Sequence, residues 1–485
     1  MTSQSQYKIS ASSFYNLSKC HRRVYLDLYG NPEEKGEYSD FLQLLWEKGV
    51  QIEQEIIDKI RKGKDIVSVR GLASQDTFEE TIKLMKSGVP LIYQGVLIKG
   101  DHIGRPDILE KIDEASDFGS YCYIPCDIKS GRATVDKESD DVKEHYANQI
   151  LFYIELLEAI QGKKPIIGKI IDIEGMETSF MASDYEADYQ GNKAIIESIV
   201  YNKKEPEPLI GGGCRDCVWS ASCLKWAVSK RDPTLLFKLG KQKYGLREKG
   251  IRTIEDLTKI NIPDFLTAKN KIYRVGEKTL QQWKRRASVW INNTPVVHTK
   301  PQLKNAKKEI YYDIEDDPSI DHVYLHGFIT VENGKKGKYE SIVAPDRKDE
   351  EGAAKKLWEY IESLSEDDVI YHYGSYEKTK ANRLKEKYGL SESVMEKFDK
   401  LRVDLYRVLE SSSDWPTSSY GIKSIAKHLG FKWTAEDASG ANSIAWYNDY
   451  RKDPEHNKEL LQKILTYNEE DCEAMIIVKE WLAHH

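Results

Sequence analysis

The 485-residue chain lacks an apolar run of the 18 or more residues that mark a membrane-spanning helix. Its opening, MTSQSQYKIS, lacks the charged-then-apolar pattern of a secretion signal, so we expect an intracellular, cytoplasmic protein. It also lacks a G-x4-G-K-S/T phosphate loop, because the Gly-Glu-Lys-Thr at Gly276 has no first glycine, and this argues against a helicase. Cysteine is scarce, and seven cysteines in such a chain favour metal or structural roles over a disulfide framework.

Charge is abundant, but its distribution is uneven. Residues 231–309 hold 19 Lys and Arg against 7 Asp and Glu, a net charge of +12, whereas the whole chain carries −7. A basic middle between two acidic flanks suits contact with nucleic acid, and the alternative is a solvated helical surface.

The length predicts two to four domains, and we divide the α/β chain into 1–230, 231–309 and 310–485.

An acidic motif lies between Gly104 and Gly131. Asp107 follows a Gly-Arg-Pro turn and opens an apolar strand, and Asp127 and Lys129 end a second strand that begins at Tyr121. Strand side chains alternate, so Asp127 and Lys129 point to one face. Two carboxylates can hold magnesium against a phosphate, and a nearby ammonium can orient water or neutralise developing charge. The plain alternative is a pair of solvated strand ends.

Three helices are predicted around this motif. Residues 10–13, Ser-Ala-Ser-Ser, begin one that carries Cys20, and residues 40–62 form a second that carries Glu53. A third, from about residue 141 to 161, carries Gln149 and Tyr153 one turn apart on one face. That pair can position a base or a phosphate, or form a half-buried polar rim.

A glycine run precedes the C-x2-C-x5-C spacing of Cys214, Cys217 and Cys223. Three thiolates so close together rarely serve packing alone, and Cys20 is the candidate fourth ligand. The spacing leaves zinc and iron–sulfur both open. The remaining cysteines, Cys122, Cys126 and Cys472, lack such spacing and are interpreted as buried apolar residues.

The early cysteine, the acid then Asp-x-Lys, and the late cysteines together resemble the iron–sulfur RecB-like nucleases, which include CRISPR-associated exonucleases and AddB-type nuclease domains. The resemblance covers residues 7–228. It implies a PD-(D/E)xK restriction-endonuclease-like fold and a four-iron four-sulfur cluster (4Fe-4S) on the four cysteines. It also implies a metal and catalytic set of Asp107, Asp127 and Lys129, with Gln149 and Tyr153 as the family's Q-x3-Y motif. The family commonly has histidine where this chain has Glu53, and glutamate still suits magnesium.

The basic middle resembles helix-hairpin-helix modules in its Gly-Ile-x-Thr-Ile-x-x-Leu and Val-Gly-x-x-Thr-Leu segments. In such modules, hairpin amides and helix N-termini meet phosphates. Gly250 and Gly276 would supply tight turns, and Lys284, Arg285 and Arg286 would extend a positive surface. The alternative is a structural helical linker, and the polar stretch NNTPVVHTKPQLKNAKK is interpreted as a linker.

The last segment offers a second acidic set. Asp313 and Glu315 lie two apart on a predicted strand and share a side, and a β-hairpin is predicted around residues 332–334. Glu377 lies in the first turn of a helix, and the last helix, about 458–484, carries Tyr467 and Asp471 one turn apart. Shared carboxylates of this kind suit two divalent ions about 4 Å apart.

This order resembles the DEDD exonucleases of the RNase H-like fold, in the variant with tyrosine. Glu377 occupies the place where that family usually has aspartate, and Asp404 is a second-ranked acid for the site. The order of the two domains resembles the TM-type RecB-family nucleases, and this resemblance covers nearly the whole chain. The resemblance implies a DNA exonuclease with two Mg2+- or Mn2+-dependent sites, acting on single-stranded DNA or DNA ends. An RNase, and a nucleic-acid-binding adaptor with a degenerate site, are the alternatives.

Overall fold

The computed structural model describes residues 7–136, 139–434 and 439–485. The chain divides into two compact units. The N-terminal unit comprises Met1–Tyr38, Leu42–Pro208 and Gly213–Cys223. The C-terminal unit comprises Ser39–Phe41, Leu209–Gly212 and Leu224–His485, so it includes the basic middle segment.

The chain up to Ser229 alternates strands and helices. The strands are β1 (Ile9–Ser10), β2 (Ile66–Ser68), β3 (Leu91–Tyr93), β4 (Leu97–Lys99), β5 (His102–Gly104), β6 (Ile108–Ile112), β7 (Cys122–Ile128), β8 (Ile167–Ile171) and β9 (Glu177–Met181). The helices are α1 (Ala11–Lys19), α2 (His21–Tyr29), α3 (Asp40–Arg61), α4 (Gln75–Lys86), α5 (Glu144–Gln161), α6 (Glu186–Asn202) and α7 (Ser220–Ser229).

The main sheet of this unit has the strand order β2-β3-β6-β7-β8-β9. Strands β6 and β7 pair antiparallel, with Ile108 opposite Cys126, so the acids next to these residues come to the same end of the sheet. Helix α5 packs into the main core, where Ile150, Leu151 and Leu157 are buried. The sheet and α5 therefore fix where Asp107, Asp127 and Gln149 lie.

The predicted helix through Cys20 is wrong in one respect. Helix α1 ends at Lys19 and α2 begins at His21, because Cys20 has an extended backbone with φ −167° and ψ 124°. The helix over 40–62 is confirmed as Asp40–Arg61, and the third predicted helix begins three residues late, at Glu144.

The C-terminal unit has strands β10 (Val296–Val297), β11 (Lys308–Asp317), β12 (His322–Glu332), β13 (Lys335–Val343), β14 (Val369–His372), β15 (Arg402–Asp404) and β16 (Ser413–Asp414). Its helices after α7 are α8 (Gln242–Glu248), α9 (Ile254–Lys259), α10 (Glu277–Asn292), α11 (Glu350–Ser363), α12 (Tyr376–Tyr388), α13 (Glu392–Leu401), α14 (Leu405–Ser412), α15 (Ile422–His428), α16 (Gly440–Lys452) and α17 (Lys458–His484).

The main sheet of the C-terminal unit has the order β13-β12-β11-β14-β15. Strands β11, β12 and β13 form an antiparallel meander, and β14 and β15 continue parallel to β11. The hairpin predicted at 332–334 is confirmed, and its turn residues Asn333 and Gly334 have φ values of 51° and 76°. Positive φ at both central residues is what a tight two-residue hairpin needs.

The side chains of β11 alternate between two cores. Ile310, Tyr312 and Ile314 pack against α11 and α13, whereas Tyr311 packs in the core that contains α14, α15 and α17. The period of two puts Asp313 and Glu315 on the same side as Tyr311. Helix α17 packs on β11 and β12, so it faces both carboxylates.

The basic middle segment differs from the prediction, because Lys284, Arg285 and Arg286 make contacts within the protein. Arg286 is 1% exposed, and its Nε donates to Asp414 Oδ1 at 2.8 Å, while Arg285 pairs with the same carboxylate. Lys284 donates to the carbonyl of Ile260 at 2.8 Å. The prediction for Arg286 is wrong because helical spacing puts it on the buried face with Trp283.

The two glycines of this segment also differ from each other. Gly250 has φ +82° and supplies the predicted tight turn, whereas Gly276 has φ −108° and is the residue before α10. The predicted linker contains a short strand, since Val296 and Val297 pair with Asp414 and Ser413.

Within the described ranges, the helices include none with the length and apolarity needed to span a bilayer.

Candidate active sites

The C-terminal unit gathers three carboxylates into one cluster. Asp313 and Glu315 project from β11, Asp471 projects from α17, and one ligand oxygen from each lies within 4.8 Å of the others. Glu315 and Asp471 are buried and Asp313 is half-buried. The sequence thus predicted residues that the structure brings together, although Asp313 and Asp471 are far apart along the chain.

Burial and mutual repulsion dominate the electrostatics of this cluster. Burial, then the charge of Asp471, raises the pKa of Asp313 and of Glu315 well above the ordinary range. Burial raises the pKa of Asp471 to about 6, although Lys423, Tyr467 and Trp433 oppose the shift. A buried group of like charges is costly unless a cation joins it. Three hard carboxylate oxygens are the donors that Mg2+ and Mn2+ prefer, so this set fits a divalent cation.

Aromatic and cationic side chains surround Asp471. Trp433 Nε1 donates to Asp471 Oδ1 at 2.8 Å, and the Tyr467 hydroxyl also hydrogen-bonds to this carboxylate. Lys423 Nζ lies 4.6 Å from the centre of the Tyr467 ring. Sequence reasoning missed Trp433 and Lys423, because only the fold shows that they come close to Asp471.

Glu377 lies near this cluster but outside the group of three. It is buried in the first turn of α12, and its Oε2 is 3.3 Å from His372 Nδ1. Its charge contributes to the raised pKa of Asp313, which puts it within electrostatic range. Asp404 lies outside the group of three and caps the N-terminus of α14. Its Oδ1 accepts hydrogen bonds from the backbone N–H groups of Gly374 and Arg407.

The N-terminal unit builds a second polar network. Asp107 Oδ2 accepts from the Ile128 N–H at 2.7 Å, and Asp127 Oδ1 accepts from the Asp107 N–H at 3.3 Å. Lys129 Nζ donates to Asp127 Oδ2 at 2.7 Å and to Gln149 Oε1 at 2.9 Å. The two strands and α5 thus bring together four residues that the sequence singled out.

Glu53 joins the network through residues that the sequence did not single out. Its Oε1 accepts from the Tyr93 hydroxyl at 2.8 Å and from Gln94 Nε2 at 2.7 Å. Gln94 Nε2 also donates to Asp107 Oδ1 at 2.9 Å. Among the residues that the structure describes, Glu53, Asp107 and Asp127 do not each place one carboxylate oxygen within 4.8 Å of the other two. Gln94 and Lys129 occupy hydrogen-bonding positions on these carboxylates instead.

The titration of this network follows from burial and charge. Burial, then Asp127 and Glu53, raises the pKa of Asp107 well above its usual range. Burial lowers the pKa of Lys129, but Asp127 and Asp107 outweigh it and the net shift is upward. Tyr153 is buried nearby, with its hydroxyl 3.4 Å from the Arg105 carbonyl, and burial and the two aspartates raise its pKa. The charges and oxygen donors present fit a hard cation, with one ammonium held beside it.

The four cysteines lie at the two chain ends of the N-terminal unit. The Cys217 N–H donates to the Cys214 carbonyl at 3.3 Å. Burial, together with Cys20 and Cys217, raises the pKa of Cys223 to about 11, and Arg22 opposes the shift. Within the described ranges, no three cysteine sulfurs lie within 4.8 Å of one another. Thiolates are ligands that both zinc and iron–sulfur clusters accept, so the donor type suits either soft-metal group.

Comparison with known proteins bears on the C-terminal unit. A family model described as the RNase_H superfamily matches residues 310–483, a stretch that contains Asp313, Glu315 and Asp471. A search of curated proteins found no match to the chain. The chain therefore carries a C-terminal RNase H-like domain, which is consistent with a metal-dependent nuclease that acts on nucleic acid.

Proposed function

We propose that this chain is a metal-dependent DNA exonuclease with two nuclease sites, one in each unit. The observation that carries the proposal is the buried cluster of Asp313, Glu315 and Asp471 inside an RNase H-like domain. Acids whose pKa values burial and repulsion raise are typical of functional sites. A structural role alone would not favour three carboxylates, two of them buried, that repel one another.

In the C-terminal site, Asp313, Glu315 and Asp471 would hold Mg2+ or Mn2+. When bound, such ions activate a water molecule and stabilise the oxygen that leaves the phosphorus. The hydroxyl of Tyr467 hydrogen-bonds to Asp471 and can orient the attacking water. Glu377 lies within electrostatic range of Asp313, which supports a supplementary role for this acid.

In the N-terminal site, Glu53, Asp107 and Asp127 would be the carboxylates for a cation of the same kind. Lys129 is 16% exposed by side chain and is held between Asp127 and Gln149, which fixes the direction of its ammonium. A fixed ammonium stabilises negative charge that develops on a phosphate oxygen. Tyr153 would complete the PD-(D/E)xK-type site from the neighbouring turn of α5.

Cys20, Cys214, Cys217 and Cys223 would hold a 4Fe-4S cluster that ties together distant segments of the N-terminal unit. Thiolates are the ligands of such clusters, and metal binding of this kind contributes directly to folding free energy. The neighbourhood of Cys20, Cys217 and Cys223 supports this assignment.

DNA is the proposed substrate, on single strands or at ends. The segment 231–309 supports it by its net charge of +12 and by the exposed Tyr273, which is 76% exposed beside Arg274. An aromatic ring next to a guanidinium offers both stacking and phosphate contact.

The test is cleavage of end-labelled and circular single- and double-stranded DNA, with matched RNA, in Mg2+ or Mn2+. We expect linear DNA to shorten from its ends. Asp107→Asn should lose the activity of the N-terminal site, and Asp313→Asn should lose that of the C-terminal site. The double variant should be inactive. Asp399→Asn, a surface acid that pairs with Arg402 and Lys378, is the control and should cleave normally. Full cleavage by the double variant would refute the proposal, cleavage of circles would refute the exonuclease assignment, and exclusive cleavage of RNA would identify an RNase.

A further inference from the structure

Gln94 connects two carboxylates of the N-terminal site with one amide group. Its Nε2 donates to Glu53 Oε1 at 2.7 Å and to Asp107 Oδ1 at 2.9 Å. An amide nitrogen carries two N–H donors, so each carboxylate takes one of them. The two carboxylates would otherwise repel each other, and the shared amide offsets that repulsion without adding charge.

The backbone of Gln94 is held as firmly as its side chain. Its φ is +58°, a left-handed conformation that is uncommon for residues other than glycine. Its N–H donates to the Asp107 carbonyl at 2.8 Å, and its own carbonyl accepts from Arg105 Nε at 3.1 Å. Arg105 is itself anchored on the carbonyls of Gly71 and Val69. An unfavourable backbone conformation that neighbours fix on both sides is typical of a functional site.

Both hydrogen bonds to Glu53 end on the same oxygen. Tyr93 and Gln94 share Oε1, so they hold the carboxylate by one oxygen and set the direction of the other. On Asp107, Gln94 takes Oδ1 and the Ile128 N–H takes Oδ2. Partners of this kind fix the orientation of carboxylates that ligate metals.

We propose that Gln94 is a positioning residue that turns Glu53 toward Asp107 and so prepares the N-terminal site for a divalent cation. This inference rests on the proposed function. The neutral amide is central to it, because a lysine at this position would neutralise the carboxylates and compete with the cation. It also gives a reason why this chain can have glutamate at position 53, since Gln94 and Tyr93 supply the donors that orient a carboxylate.

The decisive variant is Gln94→Asn. Asparagine tolerates the left-handed conformation better than glutamine, so the turn should fold at least as well. Its amide is one methylene shorter and cannot bridge Glu53 and Asp107 in the same way. The variant therefore separates positioning of the carboxylates from stability of the turn.

The experiment is calorimetric titration of the full-length chain with Mn2+, in an Asp313→Asn background that disables the C-terminal site. Loss of partners that orient metal ligands costs about 10- to 100-fold in affinity. We therefore expect Gln94→Asn to raise the Mn2+ dissociation constant by about 10- to 100-fold. Its thermal midpoint in EDTA should stay close to that of the parent, because the better fit of asparagine to the left-handed turn opposes the loss of the amide bridge. Gln94→Lys, the second variant, should abolish Mn2+ binding and raise the thermal midpoint in EDTA, because an ammonium replaces the cation.

The outcomes separate two kinds of failure. Unchanged or tighter Mn2+ binding in Gln94→Asn would overturn the role of Gln94, provided that Asp107→Asn in the same background weakens binding. If Asp107→Asn leaves Mn2+ binding unchanged, the N-terminal metal site of the proposed function is wrong, and the role of Gln94 fails with it.

Discussion

The side-chain amide of Asn468 donates a hydrogen bond of 2.6 Å to Asp313 Oδ2, so α17 reaches across to a carboxylate of β11. Asn468 is buried, and its own oxygen accepts from the Tyr339 hydroxyl at 2.8 Å. Opposite Asp313 on β12 lies Gly327. A Cβ at this glycine would lie 1.7 Å from Asn468 Oδ1, so the absence of a side chain there makes room for the amide.

The first prediction concerns this contact. Gly327→Ala should lower the free energy of unfolding by about 1–3 kcal/mol, as overpacking in a core does. Asn468→Ala removes the nearest clashing atom, while the Tyr339 hydroxyl still lies 2.6 Å from that Cβ. The double variant should therefore lose less stability than the sum of the two single losses. Urea unfolding of the four proteins measures this coupling. Gly352→Ala on α11, where nothing lies within 4 Å, is the control and should be neutral or stabilising; additive losses would contradict the prediction.

Asp313→Asn should stabilise the protein in EDTA. The substitution removes one charge from a buried group of like charges whose pKa values are raised. The free energy of unfolding should therefore rise, because the folded state then holds one repelling charge fewer. Asp317→Asn, on the same strand, should be destabilising, because Asp317 accepts from Ser319 and Asn448. Thermal unfolding of both variants tests the pair, and equal losses of stability would argue against repulsion at Asp313.

Binding of Mn2+ to the C-terminal site should weaken as the pH falls below about 6, because the pKa of Asp471 is raised to about 6 and its protonated form is a poor ligand. Without metal the sign is opposite: the folded state holds its proton more tightly than the unfolded state. This group therefore lowers stability as the pH rises from about 4 to about 6. Mn2+ titrations of Asp107→Asn at pH 7.5 and 5 should differ by about tenfold or more, and equal affinities would contradict the shift.

Tyr467→Phe should lower kcat of the C-terminal site by about 100-fold, the lower range for loss of a general acid–base or water-orienting group. KM should change little, because the ring remains in place. The assay uses an Asp107→Asn background so that only one site acts. Tyr376→Phe is the matched control, since its hydroxyl contacts Asp316 at 2.7 Å rather than Asp471. An unchanged kcat in Tyr467→Phe would remove its hydroxyl from the mechanism.

Cys214→Ser should abolish the visible absorbance and iron content of anaerobically purified protein and lower the stability of the N-terminal unit. Cys122→Ser is the control, because Cys122 is fully buried in β7 and belongs to the residues interpreted as packing. Stoichiometric zinc without iron in the parent protein would contradict the cluster and favour the other soft-metal assignment.

Local pattern predicted much of the fold. The bounds of α17, the hairpin at Asn333 and the single-sided placement of Asp313 and Glu315 all follow from periodicity and turn chemistry over a few residues. The kink at Cys20 did not follow, because the flanking residues suit a helix and the break is set by one extended residue.

Contacts between distant segments were beyond that reasoning. Arg286 looks like surface charge in sequence, yet Asp414, 128 residues later, makes it a buried partner. Gln94 and Asn468 carry no motif, and their importance depends on carboxylates 41 and 155 residues away. Polar residues of this kind are identified only when the fold shows what they contact.

The placement of Asp471 on α17 means that the carboxylate cluster is completed late in synthesis of the chain. Asp313 and Glu315 leave the ribosome well over a hundred residues before the helix that carries their third partner. Until Lys458–His484 has emerged and docked on β11, the two strand carboxylates have no complete ligand set. Translation therefore leaves the carboxylate cluster of the C-terminal unit incomplete until its last helix has been synthesised and has packed on the sheet.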